Sequence, residues 1–334
     1  MEFVSSKPAG EPRDAAPDAL PALRIRYEST LPGALLAQSD VLGVIAFGAG
    51  AASLDQPGYV HVGLDTPRDE RLVEVWRGRA GVRRGCNGPL HWSCDGDYTF
   101  AALQLDEAAY GGIAGAALHA YELLNAWCRA TPDQHVLRIW NYLDAINDGE
   151  GDAERYRQFC TGRAAGMNGL FDGGYPAATA IGRRDGQRVL QLYWLAARVP
   201  GKPLENPRQV SAWRYPRQYG PKAPNFARAM RGPAAHPQVY ISGTAAIVGH
   251  TSHHVHDCLA QLDETLANLD SLLGGTAQFG PQCALKVYVR DPADVAAVRA
   301  RLRERFGETP LLLLLGDVCR AELLIEIDGV QTAF

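Results

Sequence analysis

Between Asp257 and Gly275 the leucines recur at 259, 262, 266, 269 and 273. Spacings of three and four mark one buried face of an α-helix. Gly274-Gly275 then offers the left-handed cap that stops it. Around this helix the apolar positions change period. VYISGTAAIVG, CALKVYVRD, LLLLLGDV and AELLIEIDGV read as strands, and ADVAAVRARLRERFG as a second helix ending on Gly307. The same succession of elements recurs upstream in VLGVIAFGAG, GIAGAALHAYELLNAWCRA, HVLRIWNYLDAI, GDAERYRQFCTGRAAGM, YPAATAIG and VLQLYWLAARV. The pattern predicts an α+β protein of two tandem units, each a mixed sheet with helices packed on one face. Residues 1–22 read as a flexible, Pro/Ala-rich lead, 23–200 as the first unit, and 201–334 as a connector plus the second unit, where the main chemistry is expected.

Composition narrows the classes. The chain has 334 residues and a formal charge of −4, so nothing global attracts nucleic acid or an anionic membrane. The longest apolar run, Leu311–Leu315, is far too short to span a bilayer. Seven cysteines, an odd number without a staple-like spacing, fit a reducing compartment. The N-terminus shows no long apolar signal segment. A cytoplasmic protein is expected.

Two stretches carry candidate chemistry. The run 206–228, NPRQVSAWRYPRQYGPKAPNFAR, interleaves Arg208, Arg214, Arg217 and Arg228 with aromatics including Tyr215 and Tyr219. Any one of these arginines is more often a surface ion pair; as a cluster they point to a bound anion. Arg138 shares a strand face with Trp140 and Tyr142 by alternation, and is a further candidate clamp. The second stretch, DVCRAELLIEIDGV, sets Glu326 in an apolar strand, with Leu324 and Asp328 on its face. A carboxyl there is either an idle strand-face residue or, with its pKa raised by burial, a general acid near neutrality. Cys319 reads first as a small buried hydrophobe, and second as a wall of the same pocket, with Arg320 turned to the opposite face. The SGTAA turn adds backbone donors and close approach at Gly243, with Ala246 beside it.

HTSHHVH, which holds His250, His253, His254 and His256, looks like a metal tract, but no Cys, Asp or Glu completes a set at typical spacing. Cys86, His91 and Cys94 likewise supply three ligand types and no fourth. No metal is expected. Gly182 to Gly186, GRRDG, reads as a hairpin turn rather than a phosphate loop.

The phrases VYISGTAAIVG…AQLDETLANLDSLL, LKVYVRDPADVAAVRARLRERFG and ELLIEIDG resemble the YjgF/RidA fold. Neither TPLLLLLG nor YPAATAIG carries the arginine that holds the substrate carboxylate in that family's deaminases, so an imine deaminase is not expected. HVLRIWNYLDAINDGEGDAERYRQFCTGR, YPAATAIG, NPRQVSAWRYPRQYGP and SGTAAIVGH resemble the chorismatases. That resemblance implies release of pyruvate from chorismate without a metal or organic cofactor. It implies Glu326 as the acid and Cys319 as a wall residue of the hydroxybenzoate-forming members. Chemistry and position then make Arg138, Arg217 and Arg228 the candidate carboxylate clamps, with Tyr215 and Tyr219 as hydrogen-bond partners and Gly243 and Ala246 in the turn beside the substrate. The products implied are 3-hydroxybenzoate, alone or with 4-hydroxybenzoate. A hydrolase giving a dihydroxycyclohexadiene carboxylate, or a non-catalytic small-anion binder, stands as the alternative. Simple YjgF proteins are trimers with sites between subunits, so a tandem chain is expected either to form such a junction within itself as a monomer or to be a low-order homo-oligomer.

Overall fold

The computed structural model describes residues 23–67, 72–171, 173–234, 238–275 and 278–332. The lead expected over residues 1–22 lies outside them. Three sheets share one plan. The first has strands Arg24–Glu28, Val41–Phe47, Tyr59–Val62 and Val73–Arg77, and its last strand lies between its first and second. The second repeats that order with Tyr98–Asp106, His135–Asp144, Ala177–Arg183 and Val189–Ala197. The third does so with Gln238–Thr244, Ala284–Val289, Leu311–Leu315 and Ile325–Thr332. In each, the inserted strand is antiparallel to both neighbours, and the second and third strands pair in parallel. Short strands extend the second and third sheets to six each.

The two tandem units are therefore preceded by a third, abbreviated one. VLGVIAFGAG does not open the second sheet; it supplies strand Val41–Phe47 of the first, and Tyr98–Asp106 takes the place expected for it. The abbreviated copy escapes a helix-based repeat because its one helix is the five-residue Pro32–Leu36. Gly182 to Gly186 does not close a hairpin either. The strands it joins are separated by His135–Asp144, which lies between them in the sheet.

Each of the two larger sheets packs one face against long helices. Ile113–Ala130 and Arg155–Met167 cover the second, and Cys258–Leu272 and Val295–Phe306 the third. The opposite faces of all three sheets meet in a common core that includes Trp76, Phe100, Trp140, Tyr193, Tyr240 and Tyr288. Within that core is a buried polar network. Lys286 lies 2.9 Å from Glu74 and 3.7 Å from Asp328. Asp328 also accepts from Tyr288 Oη at 3.0 Å and Trp140 Nε1 at 3.1 Å, and meets Arg138 at 3.3 Å. Buried ions of this kind persist only when they are paired and hydrogen-bonded together.

Candidate active site

A cavity of about 460 Å³ opens in the seam between the second and third sheets. That volume suits a small metabolite. One wall is Ala178, Thr179 and Ala180 from the edge strand of the second sheet; the other is Gly243, Ala245 and Glu326 from the third. Short bonds stitch the seam. Ala178 N–H donates to Ser242 Oγ at 2.9 Å, Gly243 N–H to Thr179 Oγ1 at 2.9 Å, and Gly182 N–H to Asp317 O at 2.7 Å. The connector, through Tyr215, Tyr219, Phe226 and Arg228, and the start of helix Arg155–Met167 close the remaining sides.

Glu326 is 5% exposed. Ile325 and Ile327 point to the helix-facing core, which leaves Glu326 and Asp328 on the other face. Burial pushes the Glu326 carboxyl up, and the Asp328 charge adds to the rise; Arg138 and Arg228 offset part of it, leaving the group at about 8. It is therefore protonated at neutral pH, as a general acid requires. Gly243 makes room for it: a Cβ there would come 1.9 Å from Glu326 Oε1.

Three arginines reach the cavity with no carboxylate partner among the described residues: Arg163, Arg228 and Arg320. Arg228 Nη2 donates to Val210 O at 2.8 Å and Tyr215 Oη at 2.7 Å, and the guanidinium lies over the Tyr215 and Phe226 rings. Arg163 Nη2 donates to Asn225 O at 2.7 Å. Arg320 Nη1 donates to His250 O and Ser252 Oγ, both at 3.0 Å, and stacks 3.8 Å over Tyr219. Among the described residues, Arg163 Nε, Arg228 Nε and Arg320 Nη2 are buried donors without an acceptor. Buried guanidinium groups left in this state are costly, and a bound polyanion would neutralise them.

Of the residues singled out in the sequence, Glu326, Cys319, Tyr215, Tyr219, Arg228 and Gly243 line this cavity. Ala246 does not; it is fully buried behind the wall, and Ala245 takes the lining position. Arg217 turns outward. In the short 3-10 turn Arg217–Tyr219 successive side chains diverge, so Tyr219 faces in while Arg217 pairs with Asp152 at 2.9 and 2.5 Å on the exposed side. Arg217 therefore lies outside the cavity, contrary to the clamp role expected of it. Arg138 is also no clamp: it is wholly buried behind the wall, donating to Ile139 O at 3.0 Å and to Thr179 Oγ1. Arg208 is held by Glu264 and Asn268 instead of a ligand.

Cys319 sits in a turn before the strand, which starts only at Ile325. Strand alternation therefore fails there, and Arg320 faces the cavity beside Cys319 instead of opposite it. Burial, helped by the charge of Glu326, pushes the Cys319 thiol up to about 12, so it stays neutral. Arg163, Arg320 and Thr179 had no periodic signal to set them apart. Glu264, ten residues beyond His254, joins His253 and His254, their ligand atoms within 4.8 Å of one another. Arg208 already occupies Glu264 at 2.5 Å, and we assign no metal to this group.

A buried carboxyl raised to about 8 shares this cavity with guanidinium groups that have no carboxylate partner among the described residues, an arrangement suited to acid chemistry on a small polyanion. Residues 74–196 match the family model described as chorismatase FkbO/Hyg5-like, N-terminal. A 3-hydroxybenzoate synthase of Streptomyces hygroscopicus is 35% identical over 316 residues, covering 87% of this chain and 91% of the relative. A chorismatase of the same organism is 34% identical over 324 residues, covering 91% and 93%. A crystal structure of a chorismatase superimposes with a TM-score of 0.83 at 32% identity, covering 94% of this chain and 99% of that one. The chain belongs to the chorismatase family.

Proposed function

We propose that this protein releases pyruvate from chorismate and leaves a hydroxybenzoate, 3-hydroxybenzoate alone or with the 4-isomer. The observation that carries the reading is the pairing of a carboxyl held at about 8 with three cavity arginines that have no carboxylate partner among the described residues. Chorismate brings two carboxylates. Arg228, Arg163 and Arg320 are assigned as their clamps, with Tyr215 and Tyr219 orienting two of these guanidinium groups.

Glu326 gives its proton to the enolpyruvyl methylene, making an oxocarbenium-like carbon and a Glu326 carboxylate. The ring–oxygen bond breaks, pyruvate leaves with that oxygen, and the neighbouring ring hydroxyl takes its place on the ring. The hydroxyl proton returns to Glu326. The bond from that oxygen to its original carbon then breaks, and the carbon that now bears it loses its proton, which the oxygen takes up as the ring becomes aromatic; breaking the other of the two bonds gives the 4-isomer. Chorismate and the two products have the same atoms in total, so no water or other reactant is consumed. Cys319, neutral and at the cavity wall, shields the cationic carbon from water, which favours the internal route over hydrolysis.

The test is purified protein with chorismate and EDTA, following pyruvate release and separating the ring products. Pyruvate with a hydroxybenzoate supports the reading. Pyruvate with a non-aromatic diene-diol replaces it with the hydrolytic reaction, and unchanged chorismate overturns the activity.

A further inference from the structure

Thr179 has no task in that scheme, and its hydrogen bonds constrain it tightly. It is a buried residue of strand Ala177–Arg183 whose side chain reaches the cavity. Its Oγ1 accepts from Gly243 N–H at 2.9 Å and from Arg138 Nη2. A hydroxyl has two acceptor sites and one proton. Both acceptor sites are filled from the wall side, so the proton is directed to the cavity. Glu326 stands there. A Cβ on Gly243 would lie 1.9 Å from Glu326 Oε1 and 3.3 Å from Thr179 Oγ1, so the two oxygens flank the same glycine. Arg138 is itself anchored by Asp328 at 3.3 Å, both side chains being fully buried.

We propose that Thr179 is a positioning residue of the reaction: its hydroxyl, oriented by Arg138 and the Gly243 backbone, donates to the Glu326 carboxylate formed when the proton is transferred. The inference rests on the chorismate reading above. A carboxylate born in a buried wall needs a donor at once, or it holds its proton and the step slows. A hydroxyl pressed by a guanidinium is a strengthened donor, because bonds along such a chain polarise one another. The charged and titratable groups facing Glu326 are Asp328 on its own strand, Arg138 on His135–Asp144, Arg228 from the connector, Cys319 from the preceding turn, and Tyr288 opposite it in register. All of them remain when Thr179 alone is changed.

The experiment measures kcat and KM for pyruvate release against pH in wild type, Thr179→Val and Thr179→Ser. Valine keeps the shape and removes the hydroxyl. It is expected to lower kcat about 10- to 100-fold, the worth of one charge-assisted bond, with KM within about twofold. The alkaline limb of the profile moves to higher pH, because a carboxylate that has lost a donor holds its proton more tightly. Serine restores kcat to within about threefold of wild type. Thr179→Ala, set against Thr179→Ser, isolates the hydroxyl in the same way if the valine variant does not fold. Wild-type kcat and an unmoved pH limb in the hydroxyl-free variants, or a serine variant as impaired as the valine one, overturn the proposal. A wild-type chain that releases no pyruvate overturns the activity itself, an outcome distinct from either.

Discussion

Replacing Glu326 by glutamine tests the acid through stability alone, without any substrate. The carboxyl stays protonated in the folded chain up to about 8, against an ordinary 4.5. Between those values the folded state holds a proton that the unfolded state has lost. Stability therefore falls as pH rises through that window, by about 1.4 kcal/mol per pH unit. The accumulated cost is about 1.4 kcal/mol at pH 5.5 and about 4 kcal/mol at pH 8, where the folded group begins to ionise. Glutamine cannot titrate, so it removes the slope; any packing difference it introduces is constant with pH. For a chain of 334 residues the unfolding entropy converts these figures to about 2 °C and 6 °C in Tm. The assay is thermal unfolding of wild type and Glu326→Gln at matched ionic strength from pH 5.5 to 8. The variant's Tm advantage should widen by about 4 °C over that range while its pyruvate release disappears. A gap independent of pH, or one that widens toward acid, refutes the raised pKa and with it the neutral acid.

Further expectations follow from the same geometry. Wild-type pyruvate release should fall as pH rises through about 8, where Glu326 loses the proton it must give. Gly243→Ala places a Cβ where Glu326 Oε1 now stands, so kcat should drop about 100-fold in steady-state assays while the far-ultraviolet circular dichroism is retained. Arg228→Met should raise KM for chorismate about 10- to 100-fold through loss of a charged hydrogen bond, whereas Arg217→Gln, on the exposed Asp152 pair, should leave it within about twofold. Cys319, with its thiol at about 12, should resist iodoacetamide at neutral pH while exposed Cys86 is alkylated, as peptide mapping would read; Cys319→Ala should keep pyruvate release and change the ring products.

Alternation and helical spacing report which way a side chain points, and on that question the sequence was legible. The leucines of Cys258–Leu272 face the core as their spacing requires, and Glu326 falls opposite Ile325 and Ile327. Spacing does not report what lies beyond the face. The two groups that flank Glu326 across the seam, Thr179 and Arg138, come from another sheet, roughly 150 and 190 positions earlier, and no period links them to it. The same blindness explains the arginines. Arg217 and Tyr219 read alike in a Pro-rich run, yet one turn of 3-10 backbone sends the first to solvent and the second to the cavity.

Asp328 shows where the physical distinction arises. It shares a strand face with Glu326, two positions on, and by pattern the two carboxylates are equivalent. Asp328 lies where the three sheets close together, so Arg138, Lys286, Trp140 and Tyr288 surround it. Glu326 lies where the second and third sheets part, and Gly243 leaves the space that a side chain would fill. Burial first, and the Asp328 charge second, raise the Glu326 carboxyl to about 8, with Arg138 and Arg228 offsetting only part of the rise. The Asp328 side chain is thus part of what raises the Glu326 carboxyl, after burial. That neighbour is held by the core the three sheets share, which is why the abbreviated first sheet, although absent from the cavity, belongs to the chemistry: its Glu74 holds the Lys286 that Asp328 shares.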